Sequence, residues 1–358
     1  MMLVMGYLGA VIGAGFASGQ EIMQFFVSYG LEGFKGACLA TILFFVLGGL
    51  LLYLAHAHQI SHYQDMLSYL LGNRLGRAVD FLLAIFLFLG ISTMLSASGA
   101  VFYEHLYLSK ILGIFLAYVL IVILLLTGKK GLILSYNVLV PVKILLLLII
   151  SGYAAFFVQG GQSESYMVYM SGEDSGIWLV ASLLYVAYNF ALAMVVLTEY
   201  QNLSSPHNGI MGAAWGGILL GGLVIINYLS LSKFLPEVMH YEVPMLYVAG
   251  HINLAAKHIY TLVLWLGILS TAIANAYGFA QRFAKFTGLR YGLCLVLCVT
   301  MALPLSMQSF SGLVNKTYPL FGVLGVSIIA ALLYRATKEL GLELYYKIYQ
   351  LLDRIKEA

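Results

Sequence analysis

The sequence predicts an all-α polytopic membrane protein of about ten transmembrane helices. Three observations carry that expectation. Of the 358 residues, 62% are hydrophobic and mean hydropathy is +0.94. Only 9% are charged, against roughly 25% in a soluble domain. The apolar residues gather into ten runs, each near the roughly 20 residues that a spanning helix needs. Folded in water, such a chain would expose large apolar patches and aggregate. A net charge of +3, with no basic run interleaved with aromatics, excludes a nucleic-acid partner and leaves the lipid bilayer. Cys38, Cys294 and Cys298 form neither a disulfide framework nor a metal-ligand set, and read as small packing residues. The first residues lack a basic leader and a cleavage site, so the start is expected to be a retained span.

The spans are expected at residues 3–29, 34–57, 77–103, 111–127, 132–158, 177–200, 210–231, 259–283, 291–307 and 313–334. Residues 61–72 are short and amphipathic, which suits an interfacial helix. Residues 235–256 contain Pro236, Pro244 and Gly250 and read as a broken loop helix. Lys and Arg set the orientation. With the N-terminus inside, twelve of the 18 basic residues face the cytoplasm, among them Arg74, Arg77, Arg282, Lys285 and Arg335. Five lie outside and Lys143 lies within a span. The expectation is a multi-pass plasma-membrane protein with both termini cytoplasmic. Residues 1–334 form one transmembrane domain, and 335–358 an amphipathic tail on the cytoplasmic surface.

Two spans carry unusual centres. The first contains Gly9, Gly13, Ala14, Gly15, Phe16, Ala17, Ser18, Gly19, Gln20 and Glu21. Clustered glycine invites unwinding, and unwound backbone in a bilayer must line a cavity or lie buried in protein. Its freed amides would attract an anionic group. The alternative is close helix packing through small residues. The sixth span has no glycine but places Asn189 at mid-membrane among Tyr185, Tyr188, Phe190 and Ala191. Either a second break or one interhelical hydrogen bond would accommodate it. Residues 3–158 and 177–334 hold five spans each, and each half opens with the suspicious span. An odd number of spans per half inverts the second copy. The expectation is a 5+5 inverted repeat with helices one and six broken near the midplane.

With these features the chain resembles the amino acid–polyamine–organocation (APC) superfamily and its leucine-transporter-type fold. The resemblance is strongest to the YkvI-type group of proposed amino acid permeases. Its most specific motif is Gly13-Ala14-Gly15-Phe16-Ala17-Ser18-Gly19, similar to the glycine-rich break of that superfamily's first helix. The resemblance implies an extracellular lid at 235–256. It also implies a cation site at which Gly9 and Ile12 lend carbonyls, Gly267 a carbonyl, and Ser270 and Thr271 hydroxyls. On residue type alone, Ser270 and Thr271 serve equally as packing residues.

Lys143 lies near the centre of span five, where a charge needs a partner or an aqueous path. In sodium-independent members of the superfamily a fifth-helix lysine occupies the sodium position, and Lys143 resembles that residue. The implied function is secondary transport of a small zwitterionic solute, an amino acid, by alternating access. Amides near Gly15, Phe16 and Ala17 would hold its carboxylate; Tyr185, Tyr188, Asn189 and Phe190 would gate it and meet its amine. Coupling would be to protons through Lys143, or in the alternative to sodium. No other cofactor is expected. Glu21 could bind a cationic part of the substrate or stabilise a helix start, and the latter is preferred. His56, His58 and His62 read as solvated interface residues. A non-transporting receptor of the same fold is a second reading. No paired carboxylates, nucleophile–base set or metal motif within the spans supports an enzyme.

Overall fold

A computed structural model describes residues 2–126, 129–159, 163–173 and 176–357. Thr127 and Ala358, which end the expected fourth span and tail, lie outside the described residues. Every regular element among the described residues is helical. The first span comprises α1 (Met2–Val11), α2 (Ala14–Ser18), α3 (Gln20–Phe25) and a 3-10 turn at Val27–Tyr29. Then come α4 (Gly30–Ala57), α5 (Tyr63–His105), α6 (Lys110–Leu126), α7 (Lys129–Phe157) and α8 (Ser163–Glu173). The second half holds α9 (Ile177–Glu199), α10 (Pro206–Ser232), a 3-10 turn at Glu237–His240 and α11 (Pro244–Ile252). It ends with α12 (Leu254–Thr287), α13 (Tyr291–Ser306) and α14 (Phe310–Glu357).

Six stretches are long and apolar enough to cross a membrane, and Lys110–Leu126, Pro141–Phe157 and Tyr291–Ser306 are shorter apolar helices. With the interrupted first span they supply ten crossings at the expected places. Hydrocarbon offers no hydrogen bonds, so each crossing must satisfy its backbone internally, and helices do so.

The first span breaks as its glycines foretell. Helix α1 stops at Val11, and Gly13 is extended at φ −78°, ψ −174°. Gly19 turns the chain again at φ +85°, a conformation that glycine adopts without strain. The sixth span does not break: α9 is helical throughout, including residues 188–191. Asn189, Ser182 and Thr198 bond within the helix, whereas the Tyr188 hydroxyl leaves it for Glu21. Asn189 Nδ2 donates to the Tyr185 carbonyl at 3.0 Å, and the hydroxyls of Ser182 and Thr198 return to carbonyls one turn back. With no glycine in α9, nothing favours unwinding.

Three further features differ from expectation. Residues 61–72 lead directly into span three, as the first turns of α5 before a kink at Gly72 (φ +79°). Helix α8 connects the halves, where the apolar pattern gives no sign of an element. The tail continues α14 without a break, helped by Glu339, whose carboxylate meets His58 at 2.5 Å and the Tyr69 hydroxyl. Its expected amphipathic face rests on side chains beyond 342, which lie outside the described residues.

Small residues let the helices approach closely, the main route to association in lipid. Helices α4 and α10, the second spans of the two halves, pack against each other. A Cβ on Gly217 would lie 2.6 Å from the backbone of Phe44. Helix α14 meets α9 in the same way: a Cβ on Gly322 would lie 2.8 Å from Leu184, and one on Gly325 would strike the Ala187 carbonyl. Because backbone cannot yield at Phe44, Gly217→Leu should destabilise the fold by about 1–3 kcal/mol, the usual cost of overpacking. Thermal unfolding in detergent checks this; an unchanged midpoint would mean that the α4–α10 contact is looser than described.

Candidate functional site

The interruption of the first span exposes polar backbone within the bundle. The amides of Ile12 and Gly13 finish α1 by donating to Leu8 and Val11 carbonyls, each at 2.7 Å. The Ala17 amide donates to the Gly13 carbonyl at 3.1 Å, and Ser18 Oγ to the Gly15 carbonyl at 2.8 Å. Of the three amides expected to hold a carboxylate, that of Ala17 is therefore engaged.

Beside the break lies a cavity of about 310 Å³. Gly9, Gly13, Ala14 and Gly15 line it from the first span, and Tyr188 and Asn189 from α9. Phe86 and Leu87 of α5, Thr271, Asn275 and Arg282 of α12, and Tyr318 of α14 complete its wall with other apolar residues. It runs from mid-span toward the Arg282 end of α12, the face that carries both termini. Phe16, Ala17, Ser18, Tyr185 and Phe190 are buried but do not line it. Tyr185 instead packs against Phe25, Phe26 and Phe44, with ring centroids 5.5, 4.8 and 6.0 Å away. Those five expectations thus describe the packing around the cavity, not its surface.

The residue that sequence reasoning undervalued is Glu21. It is 3% exposed, in the first turn of α3, and lines the cavity. The Tyr188 hydroxyl donates to its Oε2 at 2.6 Å. Its Oε1 lies over Gly15, where any Cβ would collide with it. The signal was present: a carboxylate two residues after a glycine turn, inside a span, is costly unless functional. Asn275 was missed as well, although it is a polar residue in the middle of an apolar run.

The expected cation residues come together around α12. Lys143 is 4% exposed, and a Cβ on Gly267 would lie 3.1 Å from its Cδ. The hydroxyls of Ser270 and Thr271 donate to the Gly267 carbonyl at 2.8 and 3.0 Å. A Cβ on Gly13 would face Thr271 at 4.0 Å, so the break in the first span abuts this turn of α12. Gly9 and Thr271 line the cavity, while Lys143, Ile12, Gly267 and Ser270 stand behind its wall. Glu21 and Lys143 attract one another electrostatically, without an ion pair within 4 Å.

Side-chain contacts tie the elements at each end of the cavity region. On the termini face, Arg282 meets Asp80 at 3.0 Å and the Tyr63 hydroxyl, while Tyr63 donates to Asp80 at 2.8 Å. On the other face, Tyr260 donates to the Ala17 carbonyl at 2.6 Å, and Met245 of α11 seats against Gly19. The loop before α11 is pinned by Glu242: its amide donates to both Glu104 oxygens at 2.9 and 3.1 Å, and its carboxylate accepts from the Phe310 amide. His56 is buried, not solvated, with Nε2 3.4 Å from Ser204 Oγ. Among the described residues no three His, Cys, Asp or Glu side chains could hold a metal ion together.

Two outcomes follow from this geometry. Gly15→Leu should displace the Glu21 carboxylate and fill the cavity beside it, abolishing solute binding while gel filtration stays unchanged. Binding at normal affinity would remove Gly15 from the site. Glu242 supplies a pH dependence. Burial holds its carboxyl above the usual carboxylate range, against the opposing pull of Lys110 and the Phe310 amide. A raised folded value means that its contribution to stability is complete below the ordinary carboxyl value and is lost as pH rises through the folded one. Thermal stability should therefore contain a component that falls as pH rises from the ordinary carboxyl range, and Glu242→Gln should remove it.

No family model matches the sequence. The chain is 31% identical over 329 residues to the membrane protein YkvI of Bacillus subtilis (strain 168), covering 91% of this chain and 93% of the relative. It is 26% identical over 327 residues to YyaD of the same organism, covering 91% and 94%. Its fold matches that of a mutant form of a manganese transporter from Eremococcus coleocola, with a TM-score of 0.56 at 13% identity, over 92% of this chain and 77% of the other. This is a multi-pass helical membrane protein, and it belongs to the family of the Bacillus subtilis membrane protein YkvI.

Proposed function

We propose that the chain is a secondary transporter of a small zwitterionic solute, an amino acid, working by alternating access in the plasma membrane with both termini cytoplasmic. One observation carries this reading: the first span is interrupted at the wall of a mid-membrane cavity that it shares with α9, α5 and α12. A cavity of about 310 Å³ is at the small end of the range for ligand sites of drug size, which runs from about 300 Å³. Unwound backbone at membrane depth must be buried in protein or line a cavity, and here it lines one, as in secondary transporters. The cavity extends toward the termini face, where Arg282, Asp80 and Tyr63 form a small polar gate. The opposite path is shut by Tyr260, Met245 and the aromatic cluster around Tyr185. Rocking of the first span and α9 against the packed remainder would exchange which path is open.

Lys143 is the proposed coupling group. Its stem rests on Gly267, the residue whose carbonyl would be a sodium ligand. That carbonyl already accepts both the Ser270 and Thr271 hydroxyls. A buried lysine whose stem packs on Gly267 supports the reading that its own charge serves as the cation in this region. The proposed reading is proton coupling through Lys143 without sodium, with sodium symport at Gly9, Ile12, Gly267, Ser270 and Thr271 as its alternative.

Uptake of labelled amino acids into proteoliposomes tests the whole reading. Transport should proceed without sodium and respond to a proton gradient. Lys143→Ala should lose that response and transport about tenfold or more slowly, the scale of one charged hydrogen bond, about 1.5–3 kcal/mol. A strict sodium requirement would restore the sodium-symport alternative. Solute binding with no uptake under any gradient would favour a receptor of the same fold.

A further inference from the structure

We propose that Glu21 is the anchor for a protonated amine: solutes enter this cavity by placing an ammonium group against its carboxylate, which the Tyr188 hydroxyl holds in position. This rests on the reading of the cavity as a solute site and names the chemical class it selects.

The first argument is electrostatic. Glu21 is almost fully buried, in a wall otherwise made largely of apolar side chains such as Phe86, Leu87 and Leu192. A buried carboxylate needs a counter-charge or several donors. Among the described residues no Lys, Arg or His lies within 4 Å of it, and its side-chain donor is Tyr188. Lys143 acts on it only from farther away, from behind the cavity wall. A carboxylate so placed offers lone pairs to whatever occupies the cavity, and an ammonium answers both its charge and its hydrogen-bonding capacity.

The second argument is positional. Gly15 leaves room for Glu21 Oε1 directly over the break. A solute carboxylate bound to the amides there would stand beside a like charge, so the anionic end is not the one this part of the site accepts. Tyr188 is fixed by rings around it: Phe25, Phe86 and Tyr318 lie with centroids 5.6, 6.4 and 5.0 Å away. The hydroxyl it presents to Glu21 is therefore held in place, and Phe86 and Tyr318 line the same cavity as Glu21. A divalent metal fits less well. Such ions take six or more oxygen ligands or a cluster of side chains, and Glu21 is the sole carboxylate among the residues that line this cavity.

Binding in detergent, with no transport required, tests this. The probes are matched sets on one skeleton: leucine, isoamylamine and 4-methylpentanoate, then phenylalanine, phenethylamine and 3-phenylpropanoate, then alanine, ethylamine and propanoate. Manganese(II) is the metal probe. Isothermal titration of the unaltered protein should show binding of at least one amine and its amino acid, with the corresponding carboxylate at least tenfold weaker. Glu21→Gln, nearly isosteric, should weaken the amine at least tenfold and abolish the preference over the carboxylate. Glu21→Asp, which keeps the charge, should retain the preference at reduced affinity. The proposal is overturned if no amine binds, if carboxylates bind as well as amines, if Glu21→Gln leaves amine binding intact, or if manganese(II) alone binds in a Glu21-dependent way. Failure of the transport reading looks different: Glu21-dependent amine binding with no proteoliposome uptake overturns transport and leaves this assignment standing, while uptake indifferent to Glu21→Gln does the reverse.

Discussion

A carboxylate at membrane depth must be held by something, and the Glu21–Tyr188 hydrogen bond is the contact on which the arrangement of this molecule turns. It spans 167 residues of sequence and joins the first span of one half to the first span of the other. The local geometry follows from it. Gly19 turns the chain in a left-handed conformation between α2 and α3, in whose first turn Glu21 lies. Gly15 has no side chain because Glu21 Oε1 lies over it. The rings around Tyr188 fix the hydroxyl that completes the bond. Remove the glycines and the carboxylate has no room; remove the tyrosine and it loses its donor.

Around that centre, glycines bring helix backbones close together at several contacts. Glycines of α10 sit on α4, and glycines of α14 sit on α9. In lipid, water expulsion gives helices little reason to associate, so close van der Waals contact between small residues is what holds them. The pairing of α4 with α10, the second helices of the two halves, is what an inverted repeat requires.

Two sets of polar contacts lie toward opposite ends of the cavity region. Arg282, Asp80 and Tyr63 form one set; Glu104, Glu242 and the start of α14 form the other. Each set ties elements of different repeats with hydrogen bonds at the rim, where water can replace them when the contact opens. Hydrogen bonds that exchange with water are modest in net strength.

The fold class, the number of crossings, the break in the first span and the charge within span five were all legible in the amino-acid order. These are consequences of local chemistry: apolar length measures bilayer thickness, clustered glycine unwinds, and a lysine amid leucines stands out. Family resemblance also brought Lys143, Gly267, Ser270 and Thr271 to one neighbourhood. Long-range packing settled the rest. Whether a polar mid-span residue breaks its helix depends on where its hydrogen bonds go, and Asn189 turned to its own helix. Whether an aromatic residue lines a cavity or packs behind it depends on helix rotation, which placed Tyr188 on the surface and Tyr185 in the core. Whether Glu21 caps a helix or charges a cavity depends on what α9 brings opposite it. The last two are questions of partners distant in sequence, and one-dimensional pattern carries no record of which faces will meet.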